Sequence, residues 1–221
     1  MDSLHVVLGA TGGAGSAVVR ELVARGLPTR ALGRKAVPFP EGVDYVRGDA
    51  TDPATLRRVC KGATVVYHCI NVPYAHWERT LPQLAQRVLE ACADEGARLV
   101  VMDNLYMYGP VEGPITEEAP RRAAGPKGRL RAQLEETFLN AHRERKVDVC
   151  IARARRWMVA LAGLFSPDLR QVGEVLYQFE RPFIVDASKF QRAFGGRVTP
   201  HEQAIRETLA AWNGGRSPGT G

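Results

Sequence analysis

The chain has 221 residues, of which 45% are hydrophobic and 24% charged, and this is enough to bury one large domain or one domain with a small appendage. The longest apolar runs, such as Ala63–Tyr67 and Leu99–Met102, are far too short to span a bilayer, and the opening residues carry no secretory signal, so a soluble protein of the cytoplasm is expected. The formal net charge of +6 rests mainly on arginines with glutamates nearby, as at Glu202 and Arg206; no nucleic-acid-binding motif accompanies it, and a polyanionic cofactor explains it as well.

His5–Leu8 is a short apolar run ending at Gly9 and predicts the first strand. Ser16–Arg25 follows with Val18, Val19, Leu22 and Val23 at helical spacing, and Gly26 stops that helix. Thr29–Leu32 and Val43–Val46 predict the second and third strands. Thr51-Asp52-Pro53 opens a helix with a capping residue and an early proline. Thr64–Cys69 is the fourth strand. Trp77–Glu95 is a long helix, with Leu81, Leu84, Ala85, Val88, Leu89 and Cys92 on one face. Arg98–Met102 is the fifth strand, Gly109 to Pro126 a Gly/Pro-rich loop, Lys127–Arg143 a helix and Val147–Ile151 the sixth strand. Beyond Arg153 the pattern loosens: Trp157–Phe165 reads as helical, Phe183–Val185 as a short strand, and Ser188–Phe194 and His201–Trp212 as two helices before a Gly/Ser/Pro-rich tail. Alternating strands and helices predict an α/β fold of Rossmann type, a doubly wound parallel sheet with a reduced C-terminal helical region. The expected division is a dinucleotide-binding domain over 1–156 and a reduced substrate-binding segment over 157–221.

The stretch Gly9-Ala10-Thr11-Gly12-Gly13-Ala14-Gly15 sits between the first strand and the first helix. Glycine at the strand end allows a tight turn, the next lets backbone approach a pyrophosphate, and the third lets the helix pack close to the sheet. The first N–H groups of the helix then face the anion. A glycine-rich turn with no ligand is the alternative, but the placement favours a dinucleotide site. At the end of the second strand an acid favours a ribose 2′-hydroxyl and an arginine a 2′-phosphate. The residues there are Arg34 and Lys35 with no acid, which points to NADP, with NAD as the alternative. Asp49, after the third strand, is placed to reach the adenine edge, with Ala50 packed beside it.

Together with Gly48-Asp49-Ala50-Thr51-Asp52, His68-Cys69-Ile70-Asn71 and Leu105-Tyr106-Met107-Tyr108-Gly109, the glycine loop resembles the extended short-chain dehydrogenases/reductases, a group that includes NAD(P)-dependent sugar epimerases and dehydratases. Val185-Asp186-Ala187-Ser188-Lys189-Phe190 through Phe194-Gly195 and Pro200 is similar to that family's closing segment. The resemblance implies a catalytic serine or threonine, a tyrosine, and a lysine four residues after it. Here Asn104 stands at the first position. Lys127 and Arg131 stand at the tyrosine and lysine positions in the better register; in the rival register Lys127 takes the lysine position and Ala123 the tyrosine. Either way the tyrosine is missing.

The residues that could carry the chemistry instead are Lys127, its pKa depressed by Arg131, Tyr106 or Tyr108, and Asp103, with Asn104 hydrogen-bonding a carbonyl. Lys127 and Arg131 read equally well as the solvated start of a helix, and His68 as a satisfied core residue. Asn71 and Pro73 are expected beside the nicotinamide ribose, next to Cys69. The resemblance also implies further strands and a substrate lid between the sixth strand and the closing segment, and here Arg153-Ala154 run almost at once into Trp157–Pro167. That shortening leaves apolar surface near Trp157, Leu161 and Phe165 for a partner chain, a second copy in a homodimer being the simplest. The cysteines Cys60, Cys69, Cys92 and Cys150 form no C-x-x-C pair or zinc-like cluster, so reduced thiols in or near the core and no metal are expected. The functions in competition are an NADP-dependent oxidoreductase or epimerase on a small carbonyl or hydroxyl substrate, a non-redox isomerase, lyase or cyclase on the same scaffold, and a nucleotide-sensing regulatory protein.

Overall fold

The computed structural model describes residues 3–116, 118–153, 185–186, 188–195, 199, 203–204 and 206. The expected helix Trp157–Phe165, most of the helix His201–Trp212, the tail and the expected boundary at 156 lie outside them. By its contacts the chain divides into two units, Met1–Ile184 and Val185–Gly221.

In the first unit the elements run β1 His5–Leu8, α1 Gly13–Ala24, β2 Thr29–Gly33, β3 Val43–Arg47, α2 Pro53–Cys60, β4 Val65–His68, α3 Trp77–Glu95, β5 Arg98–Asp103, α4 Pro126–Arg143 and β6 Val149–Arg153, with short 3-10 turns at Tyr74–His76 and Tyr106–Tyr108. The strands form one six-stranded sheet in the order β3-β2-β1-β4-β5-β6, and every pairing is parallel. That is the doubly wound order with its reversal between β1 and β4, where such sheets open a crevice beyond their C-terminal ends.

Alternation along the strands divides the core. Val6 and Leu8 face a layer built from α2, α3 and α4, whereas Val7 and Ala31 face Val19 and Leu22 of α1. Asp52 caps α2 as expected, accepting hydrogen bonds from the backbone N–H of Ala54 at 3.2 Å and of Thr55 at 3.1 Å and from the Thr55 hydroxyl at 2.6 Å. Those bonds, that of Thr55 first, hold its carboxyl below the usual range. Gly96 ends α3 in the left-handed conformation, φ 62°. Two boundaries move. α1 starts at Gly13 rather than Ser16, because the glycines themselves form its first turn. β6 starts at Val149 rather than Val147, because the Leu99 N–H takes the Asp148 carbonyl at 2.8 Å just before the ladder begins. In the second unit α5, Ser188–Phe194, follows Asp186, whose carboxylate accepts the Ser188 N–H at 2.9 Å.

All four cysteines are free thiols; Cys60 and Cys92 are buried and Cys69 half-buried, but Cys150 is exposed on β6 and so departs from the expected core placement. Among the described residues no helix is long and apolar enough to cross a membrane, and no group of His, Cys, Asp and Glu could hold a metal.

His68 ends β4 inside the core, 7% exposed, with its Nδ1 lacking a hydrogen-bond partner among the described residues. It is therefore a core residue, but not the satisfied one expected. Burial, aided by the charge of Arg131, lowers its pKa from 6.5 to about 4. Between those values the unfolded chain binds a proton that the folded chain excludes, so this share of the stability is complete above pH 6.5 and is lost as pH falls toward 4. Native protein should lose on the order of 3 kcal/mol of unfolding free energy over that interval in urea titrations, beyond the loss in His68→Phe. Equal losses in the two proteins would remove His68 as the source.

Candidate functional site

The crevice between β1 and β4 opens into a cavity of about 550 Å³. Its lining runs from the basic turn after β2, past the glycine loop, to Asn71, Val72 and Pro73 beyond β4. Of the residues expected to bind a cofactor, Gly9, Thr11, Gly12, Gly13, Ala14, Arg34, Lys35, Asp49, Ala50, Cys69 and Asn71 all line it.

Gly15 does not line it, and its surroundings show why the third glycine is needed. A Cβ on Gly15 would stand 2.3 Å from the Gly9 carbonyl oxygen. Gly9 itself has φ 81°, and a Cβ there would stand 2.9 Å from the Cys69 carbonyl oxygen. The first turn of α1 is thereby drawn down over β1 and β4. Its N-cap, Gly12, offers no side chain to the first turn, and no acid lies there to compete with an anion. The orphan N–H groups of a helix start are thus left for a phosphate. Gly33 clears the next stretch, since a Cβ there would lie 2.7 Å from the Thr11 methyl.

At the β2 end, Arg34 and Lys35 are exposed on the rim, and β3 pins their backbone. Arg47 Nε donates to the Arg34 carbonyl at 3.3 Å, and the Tyr45 hydroxyl donates to that of Lys35. The Asp49 carboxylate accepts the Thr51 N–H at 2.8 Å and the Thr51 hydroxyl at 2.9 Å through Oδ1, which fixes the turn that bounds the cavity. Burial pushes the Cys69 thiol up to about 12, so it meets a ligand as a neutral group.

At the other end the structure gathers residues from three separate stretches. Arg131, one turn into α4, is buried rather than solvated. Its guanidinium donates to Asp103 Oδ1 at the end of β5 and to Asn71 Oδ1 after β4, each at 3.1 Å. It lies over the Trp77 ring, 4.0 Å from the centroid, and Trp77 donates its indole N–H to the Val72 carbonyl at 2.8 Å. Trp77 therefore anchors the loop after β4 and floors the arginine. Desolvation pulls the Arg131 pKa down, while Asp103, Tyr106 and Tyr74 oppose it. The guanidinium's Nε has no hydrogen-bond partner among the described residues.

Asp103 also accepts the Asn104 N–H at 2.8 Å, and Asn104 Oδ1 accepts the Tyr106 N–H at 3.1 Å. Asn104 keeps its amide N–H₂ as a donor. Lys127 is half-buried, with its ammonium 5.6 Å from the centroid of the Tyr74 ring. Tyr108 is 2% exposed, so its expected reach to a substrate is corrected by its packing.

Tyr74, Trp77 and Gly128 were not singled out by the sequence as site residues. A Cβ on Gly128 would stand 2.6 Å from the Tyr106 carbonyl oxygen, so this glycine lets the start of α4 close on the Tyr106 turn. The signal available was the Lys-Gly-Arg step at a helix start, where glycine has no local use.

The fold and this cleft define a Rossmann-type dinucleotide-binding protein. The chain belongs to the NAD(P)H-binding family, whose model matches residues 9–144. It finds no match among curated protein sequences. Among solved structures it is similar to MoeE5 in complex with UDP-glucose and NAD, at 27% identity and a TM-score of 0.58 over 70% of this chain and 54% of that one. It is similar in fold to UDP-glucose 4-epimerase from Brucella ovis in complex with NAD, at 20% identity and a TM-score of 0.60 over 68% of this chain and 51% of that one. UDP-glucuronic acid 4-epimerase from Bacillus cereus in complex with NAD gives 20% identity and a TM-score of 0.58 over 68% of this chain and 55% of that one. The chain thus spans about half the length of these proteins. The family match and the neighbours agree with the extended short-chain dehydrogenase/reductase resemblance drawn from the motifs.

Removing Arg131 would take a buried cation from beside the carboxylate of Asp103, itself 5% exposed. Arg131→Met should therefore cost about 3–5 kcal/mol of unfolding free energy in denaturant titrations. Adding Asp103→Asn to that variant should restore a large part of the loss. A single variant as stable as the native protein would show that the pair contributes nothing.

Proposed function

We propose that this protein is an NADP-dependent oxidoreductase or epimerase-like enzyme acting on a small carbonyl or hydroxyl substrate. The observation that carries the reading is one continuous cavity with a helix start suited to a phosphate in the middle, a basic rim at the β2 end and Asn71 at the other, where Arg131 ties Asn71 to the end of β5. The glycine loop and the uncapped first turn of α1 hold the pyrophosphate. Arg34 and Lys35 meet a 2′-phosphate, and the acid that would favour a 2′-hydroxyl is missing from the turn. Asp49 and Ala50 bound the adenine, and Cys69 and Asn71 bound the nicotinamide ribose. When bound, the cofactor supplies or accepts a hydride at the nicotinamide ring. The Asn104 amide donates to the substrate oxygen, Arg131 holds Asn71 in place, and Lys127 supplies positive charge where a proton is exchanged.

A second reading is supported by the substitution of lysine for the usual tyrosine at position 127: a nucleotide-sensing protein that binds the dinucleotide without turnover. The tests are titrations with NADPH and NADH by cofactor fluorescence, followed by turnover with a panel of aldehydes, ketones and diketones. Failure to bind either nucleotide refutes the cofactor assignment. Tight NADPH binding with no turnover replaces the enzyme by the sensor.

For the 2′-phosphate role, Arg34→Ala should weaken NADPH at least about fivefold, equivalent to about 1 kcal/mol, while leaving NADH within about twofold. An equal effect on both nucleotides would show that Arg34 reads something other than the 2′-phosphate.

A further inference from the structure

The substituted position leaves the site without the hydroxyl its chemistry requires, yet a pair of hydroxyls stands beside it. The Tyr74 and Tyr106 hydroxyl oxygens are 2.7 Å apart, and either can donate to the other. Their rings are near-parallel, 6.4 Å between centroids, and both pack on Trp77, at 4.8 Å for Tyr74 and 6.0 Å for Tyr106. Tyr106 is 6% exposed, whereas Tyr74 is half-buried. Tyr74 is not itself part of the cavity lining, but it lies between Pro73 and His76, which are. The Lys127 ammonium sits 5.6 Å from the centroid of the Tyr74 ring, and the Arg131 guanidinium sits on the other member of the stack, Trp77.

We infer that Tyr74 is the proton-transferring residue of this site, with Tyr106 as the positioning residue that holds it. The assignment rests on the oxidoreductase reading above. With Tyr106 donating into the Tyr74 oxygen, the Tyr74 proton is left for a substrate bound against the turn that carries Pro73 and His76. As the substrate's carbonyl carbon accepts the hydride of the reduced nicotinamide dinucleotide, its oxygen takes the Tyr74 proton. The Tyr74 O–H bond breaks, an O–H bond forms on the product alcohol, and the dinucleotide is left oxidised. The resulting phenolate is held by the Tyr106 hydroxyl and by the positive charge of Lys127 until solvent returns the proton. Lys127 is thus the charge beside the hydroxyl rather than the hydroxyl's replacement, and the proton donor has moved from α4 to the turn after β4.

The experiment compares the native protein with Tyr74→Phe and Tyr106→Phe, measuring NADPH affinity by fluorescence and reduction of a diketone such as phenanthrenequinone. Tyr74→Phe should bind NADPH within about twofold of native and lose at least about 100-fold in kcat, the range that one general acid contributes. Tyr106→Phe should lose less, about tenfold in kcat with KM and NADPH affinity little changed, the split expected of a residue that orients the donor. A Tyr74→Phe enzyme within about threefold of native turnover overturns the Tyr74 assignment and leaves the reductase reading standing. A native protein that binds NADPH but turns nothing over overturns that reading and this assignment with it. Weakened NADPH binding in Tyr74→Phe would make Tyr74 a binding residue and equally overturn its proton role.

Discussion

The contact on which the rest of this structure depends is the approach of α1 to the end of β1. Gly15 packs where a methyl group would stand 2.3 Å from the Gly9 carbonyl oxygen, a separation no side chain can tolerate. Because that backbone-to-backbone contact is possible, the first turn of α1 lies directly above the crevice where the sheet order reverses. Every other feature of the cofactor half follows from its placement. Gly9 turns under it with positive φ, Gly33 makes room for Thr11, and the basic turn after β2 comes within reach of the same cavity. A helix start is a useful anion site only where its N–H groups are not already taken, and here Gly12 as N-cap and the lack of an acid in the first turn keep them available.

The other half is built on a different principle, the burial of one charge. Taking a guanidinium out of water is costly unless its donors are met and an opposite charge is close. Arg131 meets most of those terms with Asp103, Asn71 and the face of Trp77, its Nε alone lacking a partner among the described residues. The pair fixes three chain segments at once: the end of β5, the loop after β4 and the start of α4. Such a pair adds little net stability, but it gives these segments one mutual arrangement, since any displacement leaves a buried charge unpaired. A planar guanidinium suits this role better than an ammonium, because it bonds two acceptors and stacks on indole together.

The legibility of the two halves differs for the same physical reason. The places of the glycine loop, basic turn and Asp49 around the cavity were readable because each lies at the end of a strand, where local backbone geometry that the sequence displays directly sets the position. The strands and helices were readable to within a few residues, Trp77–Glu95 without any shift, since periodicity and caps are local as well. Arg131 was not readable as a buried residue. Within Lys127-Gly128-Arg129-Leu130-Arg131 it looks like one more solvated cation, and its burial is decided by Trp77, Asp103 and Asn71, which come from distant stretches. Tyr74 was missed for the same reason: its partner Tyr106 lies on another turn, and no spacing rule links them. Tyr108 misled in the opposite direction, since neighbouring tyrosines at 106 and 108 look alike in sequence, both are buried, and only the fold shows that Tyr106 shares a hydrogen bond with Tyr74.

This contrast bears on how chemistry can survive the loss of a family's usual residue. A proton donor requires a hydroxyl at the right place, not a hydroxyl from a particular helix. The lining at that end of the cavity comes from the loop after β4, and α4 reaches this loop through Lys127 over the Tyr74 ring and Arg131 bonded to Asn71, so two elements bring side chains to the same turn. Placing a lysine on α4 and a tyrosine on the loop, with the cation beside the ring, keeps a positive charge near an acidic hydrogen while exchanging the elements that carry them. Gly128 makes the exchange sterically feasible, because only a residue without a side chain lets α4 come close enough to Tyr106 for the lysine to reach the tyrosine pair. The altered residues on α4 and the aromatic turn after β4 therefore form one coupled solution, and a change to either alone would separate the charge from the hydroxyl it serves.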